Sequence, residues 1–207
     1  MLKQLAAHEI KHIQPQEEVK QDEKIPIHAR IDLKKIIDSI IIDDECKFCK
    51  IMTFLSQACL RMKQLSLLYR GSVHSFKAKA FHQQCNDFKS TLTIVKTKEG
   101  KIMGGFTKQT WKGENDWKYD QAAWLFNIEA PNIFKARKKN MFALFACQRF
   151  GPIFGEGHAL CIYDDCNTRN DNYVNSGKSF DCGEYGNILL TKRKETFIVQ
   201  EIEVFQV

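Results

Sequence analysis

The sequence predicts an α+β fold: an antiparallel β-sandwich flanked by short helices, with an N-terminal helical extension. Short apolar runs recur through the second half of the chain, turn residues separate them, and no long helical pattern lies between them. Strands at such spacing pair in antiparallel sheets. The chain has 207 residues with 15 Phe and 3 Trp, which is enough for one aromatic-rich core and an appendage.

The N-terminal part divides into two predicted segments. Residues 1–28 are polar and mixed in charge, a composition that predicts a flexible leader. Residues 29–59 are predicted to form an amphipathic helical extension, with a break at residues 43–45, because apolar residues recur at helical spacing. These residues are Leu33, Ile36, Ile37 and Ile40, and then Ile51, Leu55, Ala58, Met62 and Leu65.

From Leu67 the apolar period changes, and residues 60–207 are predicted to form the sandwich. Ser75 is a candidate N-cap of a short helix with its apolar stripe at Phe81, Cys85 and Phe88. Residues 91–95 and 102–106 are predicted to form a hairpin around the turn at residues 98–100. Further strands are predicted within residues 122–128, 141–147, 159–163, 188–191 and 196–205, with turns at residues 113–116, 131–132 and 167–172.

An ordered set of short motifs accompanies this pattern. In chain order the set consists of Leu67-Leu68-Tyr69, Gly104-Gly105-Phe106, Trp111, the strand containing Trp124, Gly155-Glu156-Gly157, Asp164-Asp165 and the closing strand at residues 198–205. This order resembles the TLDc domain, the module of the oxidation-resistance proteins, over residues 60–207. Glu156 interrupts the family's glycine run, and the chain closes with Phe205-Gln206-Val207 where the family usually has an aromatic residue and glycine. The four glycines of these motifs suit unusual backbone angles or close strand packing.

The resemblance implies a non-catalytic interaction domain linked to oxidative-stress protection and to regulation of the vacuolar proton-pumping ATPase. It implies no catalytic residue, cofactor or metal. The alternative is a structural component of a ciliary or microtubule assembly, and the least supported reading is a thiol-based enzyme that handles peroxides. The expected location is the cytoplasm, including the cilium or cytoskeleton, without membrane insertion. Residues 1–10 lack the apolar centre of a signal peptide, and no apolar run reaches the roughly 18 residues of a membrane span.

Two basic clusters are candidate interaction sites in a chain of formal net charge +6. They consist of Lys135, Arg137, Lys138 and Lys139, and of Lys192, Arg193 and Lys194. They are either solvated loops or docking patches for an acidic surface. A nucleic-acid partner is not expected, because no recognised binding motif accompanies the charge.

Acidic residues form the other candidate set. By the resemblance, Glu156, Glu201 and Glu203 are predicted to be interaction residues. Because Glu201 and Glu203 are two apart on a strand, they share a face, and a solvated outer face is the simpler interpretation.

The eight cysteines are expected to be reduced thiols, because a chain of this size does not need disulfides. Cys46 and Cys49 have the spacing of half a zinc site, but no second such pair completes it. His82 and Cys85 could meet on one helix as a nucleophile pair, although a buried Cys beside a surface His is the simpler interpretation. His158 is predicted to begin a strand and to share a face with Leu160.

Overall fold

The computed structural model describes residues 36–60, 65–137, 142–175, 178–181 and 194–207. Contacts between residues divide the chain into Met1–Ile31 and Asp32–Val207, and every described residue belongs to the second unit. The predicted leader, the first part of the predicted extension and the predicted strand at residues 188–191 therefore lie outside the described ranges.

The described residues form three helices and twelve strands. The helices are α1 (Glu45–Gln57), α2 (Gly71–His74) and α3 (Ala78–Cys85). The strands are β1 (Ser66–Arg70), β2 (Thr91–Thr97), β3 (Ile102–Thr107), β4 (Glu114–Tyr119), β5 (Trp124–Asn127), β6 (Phe134–Lys135), β7 (Phe142–Cys147), β8 (Phe150–Phe154), β9 (Leu160–Tyr163), β10 (Asn172–Val174), β11 (Glu195–Phe197) and β12 (Val199–Gln206).

The strands form two sheets of six. The first sheet has the order β1-β12-β2-β3-β5-β6, and the second has the order β11-β10-β9-β8-β7-β4. Every pairing between these strands is antiparallel. The predicted antiparallel sandwich with short helices is confirmed.

The last strand lies inside the first sheet and pairs with two strands from earlier in the chain. On β12, Val204 pairs with Tyr69 of β1 and with Thr93 of β2. The predicted β2–β3 hairpin is confirmed, and its turn contains Gly100 at φ +84°, in the left-handed region that glycine adopts readily. The end of the chain is therefore needed to complete the first sheet.

The space between the sheets holds the larger apolar core. Met103 and Leu125 contribute from the first sheet, and Leu144 and Phe154 contribute from the second. Gly105 allows the close approach of the sheets, because a Cβ built there would lie 2.9 Å from the Phe154 ring. Burying this surface supplies the main driving force for the two-layer arrangement.

A second core lies between α1 and the outer face of the first sheet. Ile51, Phe54 and Leu55 of α1 belong to this core together with residues of β2, β3 and β5, and the rings of Phe54 and Phe126 are 5.5 Å apart. The helix begins where Asp44 accepts a hydrogen bond from Lys47 N at 2.8 Å, as an N-cap does. The apolar stripe of this helix packs on the sandwich.

The predicted extents of the two N-terminal helices are wrong. Ile37 forms a parallel bridge with Leu65, and residues 37–42 are not helical. Ile41 and Ile42 are buried, whereas Ile40 of the predicted apolar stripe is 52% exposed, because the irregular backbone does not keep the helical period. The next helix ends at Gln57 and does not reach Leu65.

The predicted start of the short helix is also wrong. Ser75 follows α2 with φ +91°, and Lys77 precedes α3. Phe81 and Cys85 are buried as predicted, whereas Phe88 is 37% exposed. The helix ends at Cys85, so Phe88 lies beyond the part in which the helical period applies.

Several predicted turns and strand limits need correction. Residues 114–116, predicted as a turn, belong to β4, and Asn172 begins β10. The predicted closing strand is divided at Ile198 into β11 and β12. His158 precedes β9 in a turn with φ +57°, so it does not share the strand face of Leu160. Polar residues on the outer strands of a sandwich resemble turn residues in sequence.

Candidate functional site

The first basic cluster lies at the end of the first sheet, on and just after β6. Lys135 and Arg137 are exposed, and we call these two residues the basic edge. Lys135 pairs with Trp124 of β5, and the backbone N of Arg137 donates to the Ser179 carbonyl oxygen at 2.8 Å. Their backbone is therefore fixed while their side chains are free to meet a partner. Lys138 and Lys139 lie outside the described residues.

A pocket of about 160 Å³ opens beside the basic edge, where the C-terminal end of α1 meets β3, β5 and β6. The stacked rings of Phe106 and Trp124 lie behind its surface, with ring centroids 5.6 Å apart and planes 20° apart, and both side chains are almost fully buried. Lys108, Lys135 and the exposed Cys59 also line the pocket. The site thus combines an apolar lining, to which Leu60 contributes, with two ammonium groups.

The second basic cluster is described only at Lys194, because Lys192 and Arg193 lie outside the described residues. The Nζ of Lys194 lies 3.7 Å from the centre of the Tyr173 ring. The guanidinium of Arg169 lies 4.9 Å from the centre of the Tyr163 ring. Both contacts have the geometry of a cation–π interaction.

The two tyrosines belong to a continuous row of rings on the second sheet, which we call the aromatic face. Neighbouring ring centroids along the row are 4.3 to 6.4 Å apart. The row consists of Tyr119, Phe142, Trp117, Phe145, His158, Tyr173, Tyr163 and Phe150. Tyr119 is 56% exposed and Trp117 is 37% exposed, so the row is open to solvent at its β4 end.

A histidine–tyrosine hydrogen bond lies within this face. The Tyr173 hydroxyl is 2.8 Å from His158 Nδ1. Burial, and then the charge of Lys194, lowers the pKa of His158, and burial raises the pKa of Tyr173. The hydroxyl therefore donates to a neutral imidazole near neutral pH.

The predicted interaction residue Glu203 is fully buried. Its carboxylate accepts hydrogen bonds from Ser39 Oγ, from Ile40 N at 3.0 Å and from Arg70 Nε at 2.7 Å. Arg70 also donates to the Asp38 carbonyl oxygen at 2.6 Å. The prediction that Glu203 lies on a solvated outer face is wrong, because the segment before α1 covers this residue.

Glu201 is also buried rather than solvated. It accepts hydrogen bonds from Ser72 N at 3.1 Å and Ile202 N at 3.0 Å. A direct contact of Glu201 or Glu203 with another protein would require these internal donors to be exchanged. Their predicted interaction role stays a prediction, and the geometry gives both carboxylates a role within the fold.

Glu156 is half-buried in the turn between β8 and β9. The flanking Gly155 and Gly157 have φ +81° and +80°. These values confirm the prediction that both glycines adopt unusual backbone angles. The Glu156 backbone N donates to the Phe142 carbonyl oxygen at 3.1 Å and to Ser179 Oγ at 2.6 Å. The turn is therefore tied to β7.

The remaining motif residues lie in the two cores. Gly104 packs against β2, since a Cβ built there would lie 1.9 Å from the Thr93 carbonyl oxygen. Trp111 is buried between the sheets, and its Nε1 donates to Thr91 Oγ1 at 3.0 Å. Phe106 and Trp124 belong to the core beneath α1. These residues support the fold.

His82 is buried, so its expected position at the surface is wrong. Its Nε2 lies 3.0 Å from the Cys147 carbonyl oxygen and 2.9 Å from that of Phe150, and its Nδ1 lies 2.7 Å from Asn86 Oδ1. Burial raises the pKa of the Cys85 thiol, which favours the unreactive protonated form. The pair lacks the geometry of an activated nucleophile.

The described thiols fall into two groups. Cys46, Cys49 and Cys59 are exposed. Burial raises the pKa of Cys161 and of Cys166 to about 12 each. Within the described ranges, no group of three or more His, Cys, Asp or Glu residues is placed to hold a metal ion. Among the same residues, no helix is both long and apolar enough to cross a bilayer.

Sequence reasoning did not single out Arg70, Lys108 or Trp117. Arg70 directly precedes α2, and nothing in the sequence marks it as the partner of Glu203. Trp117 and Tyr119 are two residues apart, the period of one strand face, and this signal could have identified the exposed end of the aromatic face. Lys108 follows β3 and Lys135 lies on β6, and only the order of the strands in the first sheet brings both residues to the pocket.

A family profile described as TLDc domain matches residues 36–207, most of the chain. No curated protein matches the chain.

Proposed function

The chain belongs to the TLDc domain family, and from this premise we propose a non-catalytic interaction domain that links oxidative-stress protection to regulation of the vacuolar proton-pumping ATPase. TLDc domains act in protein interactions, and the family is generally non-catalytic. The family match therefore supports a binding function, and the finer assignment to stress protection and the proton pump is the proposal. The proposal also places the chain in the cytoplasm, including the cilium or cytoskeleton.

The partner surface is acidic in this proposal. The observation that supports it most is the basic edge, where Lys135 and Arg137 are exposed on a fixed backbone and form no ion pair with a described residue. The formal net charge of +6 favours the approach of an acidic surface over longer distances. Exposed charges on fixed backbone favour fast and specific association.

The experiment is isolation of partners from cell extract with three forms of the chain. The test variant reverses both charges of the basic edge (Lys135→Glu and Arg137→Glu). The control reverses two exposed lysines outside it, Lys89→Glu and Lys98→Glu. Each double variant changes the formal charge by the same amount, from +6 to +2, since each reversal removes two units.

We expect the unmodified chain and the control to retain proton-pump subunits and the test variant to lose them. Equal retention by all three forms would contradict the role of the basic edge. Recovery of tubulin or axonemal proteins in place of pump subunits would assign the chain to a ciliary or microtubule assembly.

A further inference from the structure

We propose that the pocket beside the basic edge binds the carboxylate of a glutamate or aspartate side chain from the partner protein. This inference rests on the proposed function, because it assigns one specific contact to the acidic partner.

The shape of the pocket suits a side chain. Its volume is about 160 Å³, far above the roughly 10–15 Å³ that holds a single water. Ala58, Leu60 and Ala122 line the pocket and are partly exposed, so they can cover the methylene groups of an acidic side chain. The pocket is too small for a large cofactor, so a short acidic group is the fitting occupant.

The charge of the pocket suits a carboxylate. Lys108 and Lys135 both line it, and neither ammonium group forms an ion pair with a residue in the described ranges. A carboxylate between them would gain charge-assisted hydrogen bonds. The apolar lining on one side of the pocket excludes water there, which strengthens this attraction.

Trp124 supplies a spectroscopic reporter, because its indole borders the pocket from the side of the core. Trp124 is 1% exposed, and its buried Nε1 has no hydrogen-bond partner among the described residues. Buried indole N–H groups usually have an acceptor, as Trp111 has in Thr91. Because this Nε1 has almost no accessible surface, it senses the charge that a carboxylate brings into the pocket and is not itself a contact of the carboxylate.

The rim of the pocket is already in place. Gln57 Nε2 donates to Asn132 Oδ1 at 3.1 Å and to the Pro131 carbonyl oxygen at 3.2 Å, while Gln57 Oε1 accepts from Ile133 N at 3.0 Å. These bonds join the end of α1 to the loop before β6. Because this side of the pocket is formed before binding, little ordering free energy is lost when an acidic side chain enters.

The test is a titration of the full chain followed by the indole N–H resonances in ¹H–¹⁵N spectra. The probes are a peptide of alternating glutamate and glycine, the same peptide with glutamine in place of glutamate, free glutarate and inorganic phosphate. A Trp124→Phe variant identifies the resonance of Trp124. The test variants are Lys108→Gln and Lys135→Gln, and the matched control is Lys98→Gln on the β2–β3 turn.

We expect the glutamate peptide to shift the Trp124 resonance saturably, free glutarate to do so more weakly, and Trp111 to stay unchanged. Either test variant should weaken binding about tenfold, the effect of losing one charge-assisted contact, and the control should match the unmodified chain. No shift, an equal shift with the glutamine peptide, or a larger shift with phosphate would overturn the carboxylate site. If the chain still retains acidic partners from extract but the Trp124 resonance does not shift with the glutamate peptide, the pocket proposal fails and the proposed function stands.

Discussion

The Nε of Arg70 donates to Glu203 at 2.7 Å in a site where the glutamate has no exposed surface. The two residues also pair directly across β1 and β12. Because Ser39 and Ile40 donate to the same carboxylate, the ion pair joins the segment before α1 to the last strand. A carboxylate in the closing strand thus holds together two ends of the described domain.

Replacing Arg70 by Met should lower the free energy of unfolding by about 3 kcal/mol, because loss of one partner leaves a buried charge without its counter-ion. The measurement is equilibrium unfolding in urea. The matched control is Arg169→Met, since Arg169 pairs with Asp171 at an exposed site and exposed pairs contribute little. Equal stability of the Arg70 variant and the unmodified chain would show that the Glu203 site tolerates an unpaired charge.

Substituting Ala for Gly104 should destabilise the first sheet by about 3 kcal/mol or prevent folding, because the added Cβ would meet the Thr93 carbonyl oxygen. Gly100→Ala is the comparison. It has open space around the Cβ and only the strain of φ +84°, which costs about 1 kcal/mol. Thermal unfolding measures both, and a Gly104 variant as stable as the Gly100 variant would contradict the close strand packing.

The stability of the domain should depend on pH through His158. Its pKa is lowered from 6.5 by burial and by Lys194, so the unfolded chain binds the proton more readily than the folded chain. The contribution of His158 to stability is then complete above pH 6.5 and declines as the pH falls through 6.5 toward the folded pKa.

Unfolding in urea between pH 7.5 and pH 5 tests this effect. His158→Asn should flatten the decline, and Asn tolerates the positive φ at this position. Lys194→Gln should raise the pKa of His158 in an NMR titration. An unchanged pH dependence in His158→Asn would assign the decline to other groups.

Native thiol reactivity should follow exposure. Cys46, Cys49 and Cys59 should react with an alkylating reagent in the folded chain, whereas Cys85, Cys161 and Cys166 should react only after unfolding, because burial raises the pKa of all three. Mass spectrometry of peptides after brief alkylation measures this. Fast labelling of Cys85 in the folded chain would contradict its buried position and reopen the peroxide-handling hypothesis.

The sandwich could be predicted because its signals are local. The strand, turn and strand of the β2–β3 hairpin are adjacent in sequence, and Gly100 marks the turn. Residues 114–116 of the outer strand β4 resemble a turn because they are polar and exposed, although Trp117 and Tyr119 follow with the period of a strand face. The turn conformation of His158 could not be predicted, because a positive φ in a non-glycine residue has no sequence signal.

The site could be predicted only in part. Lys135 and Arg137 are exposed, consistent with a cluster of charge in sequence. The pocket could not be predicted from local sequence. The pairing of β3 with β5 brings Lys108 near Trp124, and the packing of α1 on the sheet brings Cys59 to the same place. The burial of Glu203 could not be predicted either, because the residues that cover it are 163 and 164 positions earlier in the chain.

Crosslinking followed by mass spectrometry in cell extract tests the central claim most directly, because it reports which lysines of the folded domain lie next to the partner. The account predicts that partner peptides rich in Asp and Glu attach mainly to Lys108 and Lys135. Partner crosslinks spread equally over Lys89 and Lys98, or partner peptides without acidic residues, would contradict binding at the basic edge and its pocket.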